Sequence, residues 1–270
     1  MQTCYRHPNR ETGVSCANCG RPICPDCMTP TPVGMRCPEC AREKTRVTVG
    51  AAGARPAAPA TFVLIGINVV AFLAGLAAGT GGLSGGGAVI NDFGLRGISV
   101  ADGEWYRILT GGFLHAGLLH LAFNMFALYV LGSLLEPSLG TARFVALYFA
   151  SLLAGSFGAL LLTDELRTTV GASGAIFGLF GAAFVIARGR NLGTLSSEIG
   201  ILLLINLALT FGIPGISIGG HLGGLAGGVV CALAVVAGER GAFGRNARAA
   251  ELALMATLGI ACAIAAIGLA

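Results

Sequence analysis

Apolar positions in this 270-residue chain neither alternate nor keep to one helical face. From Thr61 onward they fill long runs, at about 61–79, 113–135, 142–162, 171–187, 196–213, 218–238 and 250–270. A helix that is apolar all round has no water-facing side, and about 20 residues rising 1.5 Å each match the hydrocarbon core of a bilayer. The runs therefore predict seven membrane-spanning helices. The fourth and fifth are the shortest and reach across if they sit centrally and lean on their neighbours. Upstream the pattern changes. Residues 1–42 are largely polar and hold seven of the nine Cys, and 43–60 open with Glu43, Lys44, Thr45 and Arg46 before turning to Ala, Gly and Pro, a flexible linker by composition. No apolar stretch precedes the cysteine-rich head, so no signal peptide is expected and the head should stay in the cytoplasm. No internal repeat is visible.

Composition agrees with a membrane solvent. Hydrophobic residues make up 54% and charged residues 11% of the chain, against about 25% charged in soluble domains. A water-soluble monomer is excluded on that ground. The 43 glycines fall mostly inside the apolar runs, where small residues let helix backbones approach. The net charge of +4 comes from Arg at segment ends, which points to topology and not to nucleic acid. With the N-terminus inside, eight Lys and Arg lie in the N-terminal region and six in cytoplasmic loops, leaving Arg96, Arg107 and Arg167 outside. That bias predicts a cytoplasmic N-terminus and, after seven spans, an external C-terminus. The outer loop at about 80–112 carries Trp105 and Tyr106, whose amphipathic rings suit the membrane surface.

The head reads Cys4-x2-His7, Cys16-x2-Cys19, Cys24-x2-Cys27, Cys37-x2-Cys40. Eight soft ligands in four spaced pairs suffice for two tetrahedral zinc ions. A disulfide framework is the duller alternative, disfavoured by the odd Cys count and the reducing compartment. With so few apolar residues the metals would hold the fold. The spacing resembles the B-box type of zinc finger. That resemblance implies Cys4, His7, Cys24 and Cys27 on one ion and Cys16, Cys19, Cys37 and Cys40 on the other, although the B-box pattern usually ends in His where this chain has Cys37 and Cys40. Docking a protein partner and sensing metal are both open roles for the head.

Polar side chains inside a bilayer are costly and mark function by default. The second run carries His115, His120 and Asn124, the fourth Ser173 in Gly171-Ala-Ser-Gly174, and the sixth His221 in Gly219-Gly-His-Leu-Gly-Gly224. Taken singly, a Gly-flanked Ser is usually a small packing residue, and a lone His is often a satisfied core residue. Together they sit at matching heights near the outer ends of three helices running the same way, and His120 and Asn124, four apart, share a helix face. Gly174, Gly178 and Gly181 face a second small-residue stripe of Gly220, Gly224, Gly227 and Gly228, so the fourth and sixth helices are expected to approach closely.

These residues resemble the rhomboid family of intramembrane serine proteases, through Trp105-Tyr-Arg107, His115-x4-His120-x3-Asn124, Gly132-x3-Glu136, Gly-Ala-Ser173-Gly and His221-x2-Gly224-x3-Gly228. The resemblance implies an all-α polytopic membrane protein, with a six-helix core over residues 61–240, one added C-terminal helix over 241–270, and the small zinc-binding domain at 1–42. It makes Ser173 the nucleophile, His221 its general base, and His120 and Asn124 oxyanion donors, with Arg107 and Glu136 structural. Phe177 stands where some members carry a Tyr packed on the catalytic imidazole. No intramembrane carboxylate is placed to complete a triad, so a Ser-His dyad is expected, reached by water through a shallow cavity lined by His115 and His120. No cofactor is needed for that chemistry. The implied substrates are single-span membrane proteins cut near their outer end, in the plasma membrane of a bacterium. A transporter would be expected to show inverted repeats, which are not seen; a catalytically inactive rhomboid-like escort protein remains the alternative.

Overall fold

The computed structural model describes residues 2–31, 34–42, 58–78 and 87–270. It divides into two compact units, Met1–Arg55 and Pro56–Ala270. Most of the expected linker, 43–57, lies outside the described residues, and its last two positions are already helical. The first membrane helix starts at Pro59, because a proline at the first helical position gives up no intrahelical hydrogen bond.

The first unit is built on four very short strands. β1 (Gln2–Thr3) pairs antiparallel with β2 (Glu11–Thr12), and β3 (Thr29–Thr31) with β4 (Gly34–Arg36), before a single helical turn, α1 (Pro38–Arg42). Its core is seven buried or near-buried positions, of which only Ile23 is not a cysteine. Hydrophobic burial on that scale cannot hold a fold, so the cysteines must contribute through what they bind.

Among the described residues the secondary structure of the second unit is helical except for one antiparallel bridge, Leu95–Thr169. α2 (Pro59–Ala77) is followed by three short helices, α3 (Ala88–Phe93), α4 (Gly97–Ala101) and α5 (Arg107–Thr110). Then come α6 (Leu118–Leu139), α7 (Thr141–Leu162), α8 (Ser173–Gly189), α9 (Gly193–Gly212), α10 (Ile218–Glu239) and α11 (Ala247–Leu269). Six of the apolar helices are long enough to cross a membrane, and the seventh, α8, has 17 residues, about 25 Å at 1.5 Å per residue. The protein is an integral membrane protein. As expected for the fourth run, α8 sits centrally: its buried face extends from Ala175 to Ala187. The fifth run differs from expectation. α9 has its full 20 residues and buries only Ser196, Ile199 and Thr210, so it lies at the periphery and needs no support from its neighbours to reach across.

The glycine stripes are used as expected in part. A Cβ on Gly224 would overlap the carbonyl of Gly174, and one on Gly228 that of Gly178, so α8 and α10 touch backbone to backbone. Gly227 turns instead to Ala154 of α7, and Gly181 meets the side chains of Leu225 and Val229. A second glycine contact, Gly158 of α7 against Gly219 and Gly223 of α10, was not anticipated.

Two buried carboxylates fix the frame around this centre. Glu136, 1% exposed, accepts from the backbone N–H groups of Ala60 (3.0 Å) and Thr61 (2.8 Å) and from the hydroxyls of Thr61 (2.8 Å) and Thr141 (2.9 Å). A negative group with four donors caps the N-terminus of α2 and joins it to the α6–α7 turn. Glu251, also 1% exposed, pairs with Arg143 Nη1 at 3.0 Å and fastens α11 to α7. In the segment before α6, buried Arg107 donates to the carbonyls of Asn91 (2.6 Å) and Gly94 (2.9 Å) and pairs with Glu104. Trp105 and Tyr106 beside it are exposed, as interface residues should be.

Candidate active site and metal clusters

Ser173 is the first residue of α8, so the N–H groups of its opening turn have no acceptor within the helix. The loop before it is held by backbone bonds. Leu95 and Thr169 exchange N–H···O contacts of 3.0 and 2.8 Å, and Gly171 N–H donates to the Gly111 carbonyl at 3.0 Å. Gly171 has φ +131°, and a Cβ there would lie 2.8 Å from His120 Cε1 and Nε2 and 3.4 Å from Ser173 Oγ. Only glycine leaves room for that imidazole to reach the serine.

His120, in the first turn of α6, accepts from the Ala116 N–H through Nδ1 at 3.4 Å. Its proton therefore belongs on Nε2, which with Cε1 forms the edge of the ring nearest Gly171. Asn124 lies one turn further along α6, and its Nδ2 donates to the His120 carbonyl at 2.9 Å, with a second N–H to spare. His115 is placed differently from expectation. It precedes α6, which begins only at Leu118, is 3% exposed, and packs edge-on behind His120 with ring centroids 5.0 Å apart. It does not line the cavity. The Gly117 bend starts the helix late and turns His115 inward.

His221 lies in the first turn of α10, which Ser217 caps by accepting from the Gly220 N–H at 3.1 Å. Its ring stacks on Phe177 with centroids 4.0 Å apart and planes 19° from parallel. Phe177 thus supplies the stacking expected of it. The His221 Nδ1 lies 2.7 Å from Thr210 Oγ1, and the Thr210 hydroxyl also lies 2.7 Å from the Asn206 carbonyl one turn back on α9. A hydroxyl has one proton. Given to Asn206, it leaves Oγ1 as the acceptor, so His221 carries its proton on Nδ1 and Nε2 is free to act as a base. Ser173 is not itself hydrogen-bonded to His221, whose ring nitrogen Nδ1 is engaged with Thr210. Such contacts commonly tighten only when substrate binds. Thr210 was missed by the sequence reading, and only the polar pair Asn206 and Thr210, four apart in an apolar helix, could have signalled it.

Ser173, His120, Asn124 and His221 line one cavity of about 980 Å³ that continues between α6 and α9, past Val130 and Leu134 on one wall and Leu202 and Leu195 on the other. The Rhomboid domain profile matches residues 102–238. The chain belongs to the rhomboid family. It is similar to the rhomboid protease GluP of Bacillus subtilis, 38% identical over 163 residues, which cover 59% of this chain and 32% of that protein's length. It is also similar to the putative rhomboid protease YdcA of the same organism, 40% identical over 134 residues, 48% of this chain and 67% of that one. Another rhomboid relative is described as inactive: the Inactive RHOMBOID-like protein 8 of Arabidopsis thaliana, 35% identical over 102 residues, 38% of this chain and 28% of its own length.

In the head, Cys4, His7, Cys24 and Cys27 form one cluster and Cys16, Cys19, Cys37 and Cys40 another, with ligand atoms all within 4.8 Å of one another. This is the interleaved pairing that the B-box resemblance implies. His7 Nδ1 is 3.8, 3.3 and 3.5 Å from the sulfurs of Cys4, Cys24 and Cys27, and Cys19 Sγ is 3.8 Å from Cys37 Sγ. A tetrahedral zinc with ordinary bond lengths sets these edges at about 3.8 Å for S···S and about 3.5 Å for S···N. Burial raises the Cys4 thiol, but backbone N–H donors from Arg6 and Cys24 outweigh it and bring the pKa to about 6. Cys27 is pushed up to about 11 by burial and then by its neighbours Cys4 and Cys24. Crowded thiols ionise together only when a cation sits among them, which is the donor chemistry of a metal site.

Proposed function

We propose that the protein is an intramembrane serine endopeptidase working through a Ser173–His221 dyad. Ser173 Oγ attacks the scissile carbonyl while His221 Nε2 takes its proton. The resulting oxyanion is met by His120 Nε2–H, the free Asn124 N–H and the Ser173 backbone N–H. Collapse breaks the C–N bond, His221 returns the proton to the leaving amine, and a water molecule, deprotonated by the same nitrogen, hydrolyses the acyl-enzyme. The observation that carries this reading is what the two Nδ1 atoms meet, a backbone N–H at His120 and, at His221, a hydroxyl that also contacts the Asn206 carbonyl, which argues for a donor at Nε2 of His120 and an acceptor at Nε2 of His221. One base and one electrophile are what acyl transfer needs.

The substrates are single-span membrane proteins whose cleavable segment enters between α6 and α9, where the cavity has apolar walls. The site end of the bundle faces outward and the N-terminus is cytoplasmic, in a bacterial plasma membrane, as the Lys and Arg asymmetry supports. The domain division follows as residues 1–42, 61–240 and 241–270, with α11 tied to the core through Arg143–Glu251. Two structural zinc ions occupy the head, one in each ligand cluster, and docking a protein partner or sensing metal are both open roles for it.

The test is labelling of membranes with a serine-reactive fluorophosphonate, alongside cleavage of a model single-span substrate. Ser173→Ala and His221→Ala should abolish both. His120→Ala and Asn124→Ala should fold and lose roughly a hundred- to a thousandfold in turnover. If folded Ser173→Ala membranes still cut the same bond, the reading fails. The second reading, an inactive escort protein like the family's inactive member, would then be favoured.

A further inference from the structure

We propose that Thr210 is a positioning residue that sets the tautomer and in-plane orientation of His221. This inference rests on the dyad reading and extends it to a third side chain, carried by a third helix. Phe177 fixes the plane of the imidazole by stacking at 4.0 Å, but a stacked ring can still turn within its plane. The contact that stops the turn is Thr210 Oγ1 at 2.7 Å from Nδ1. Thr210 is 2% exposed, so little water reaches its hydroxyl in competition with the imidazole.

The direction of the bond follows from the hydroxyl's other contact, the Asn206 carbonyl at 2.7 Å. Threonine in a helix commonly gives its proton to the carbonyl four residues back. With that proton committed, Oγ1 can only accept, and Nδ1 must donate. The lone pair of the neutral ring is then on Nε2. The hydroxyl does what a buried carboxylate does in a triad, with one difference: it orients the ring and brings no countercharge to the imidazolium that forms. A dyad without a carboxylate therefore still has its base held by a specific acceptor, supplied by the least buried of the apolar helices around the cavity.

Thr210→Val keeps the shape and removes the acceptor. In full-length protein carrying 15N-labelled histidine, the wild type should show one ring protonated on Nδ1, assigned by its loss in His221→Ala. Thr210→Val should shift that signal toward the Nε2–H form, and Thr210→Ser should restore it. Substrate cleavage by Thr210→Val should fall roughly two- to thirteenfold in kcat with KM unchanged, the factor expected of one net hydrogen bond, and Thr210→Ser should recover most of it. Should the valine variant not fold, Thr210→Ala reads the same signals. The inference is overturned if a folded Thr210→Val or Thr210→Ala keeps the Nδ1–H signal and the wild-type kcat while Ser173→Ala is inactive. Wild-type protein that fluorophosphonates do not label at Ser173 would instead overturn the dyad, and the nitrogen signals would still decide what Thr210 does to the ring.

Discussion

Replacing Gly224 by alanine tests whether helix approach sets the geometry of the site. A methyl group there would fall short of ordinary contact with the Gly174 carbonyl, 3.4–4 Å, by more than an ångström. The obstacle is backbone, so it cannot turn aside, and α10 must back away from α8. Gly174 follows Ser173 in sequence, and Gly224 lies less than one turn after His221, so the displacement falls between the two members of the proposed dyad. Overpacking of this kind costs about 1–3 kcal/mol, while alanine returns about 0.8–1 kcal/mol in helix propensity. The net loss of stability should therefore be small, about 0–2 kcal/mol. Turnover is far more sensitive, because a misplacement of about 1 Å can cost on the order of a hundredfold. Cleavage of a single-span substrate and the thermal midpoint in detergent should thus separate: a large fall in kcat with a small fall in Tm. Gly66→Ala, in a lipid-facing part of α2 with nothing within 4 Å, should leave activity intact. Wild-type turnover in a folded Gly224→Ala protein would refute the reasoning.

Glu136→Ala should lower stability by about 3 kcal/mol or more, since it strands four donors at the start of α2 and α7; a thermal midpoint in detergent within error of wild type would contradict this. Purified full-length protein should hold two zinc ions by elemental analysis, and Cys24→Ser or Cys37→Ser should each remove one while cleavage persists. A reporter fused at Ala270 should be active only when it works outside the cytoplasm, and activity of a cytoplasm-only reporter there would mean that one run does not span.

The bundle was legible because lipid imposes one requirement on every span, an unbroken apolar run, and the seven runs match α2 and α6–α11 within a few residues. The four polar residues were legible for the same reason, as exceptions to that rule. Position within the bundle was not. The hydrophobic pattern is nearly uniform around each helix, so nothing in the sequence ranks α8 as enclosed and α9 as peripheral; the small residues at Gly178 and Gly181 are the only hint, and Gly158 was overlooked. His115 looked equivalent to His120 because spacing in an apolar run presumes a helix. The Gly117 bend breaks that presumption and puts a wall of protein on both sides of the ring.

Hydrogen-bond direction lay furthest beyond reach, and the chemistry depends on it. His120 and His221 are both histidines in the first turn of a glycine-flanked apolar helix, and by residue type and depth they are interchangeable. Their roles part because of what each Nδ1 meets. For His120 it is a backbone N–H from the bend that opens α6, which can only donate. For His221 it is the hydroxyl of Thr210, already committed to the carbonyl of Asn206, which can only accept. Each partner forces the opposite tautomer, so one Nε2 offers a proton and the other a lone pair to the same cavity. The partner of His120 comes from its own segment four residues back, whereas that of His221 is brought by α9 packing against α10. On the proposed dyad, the packing of α9 against α10 makes His221 the base, and altering Thr210 is the way to change that role.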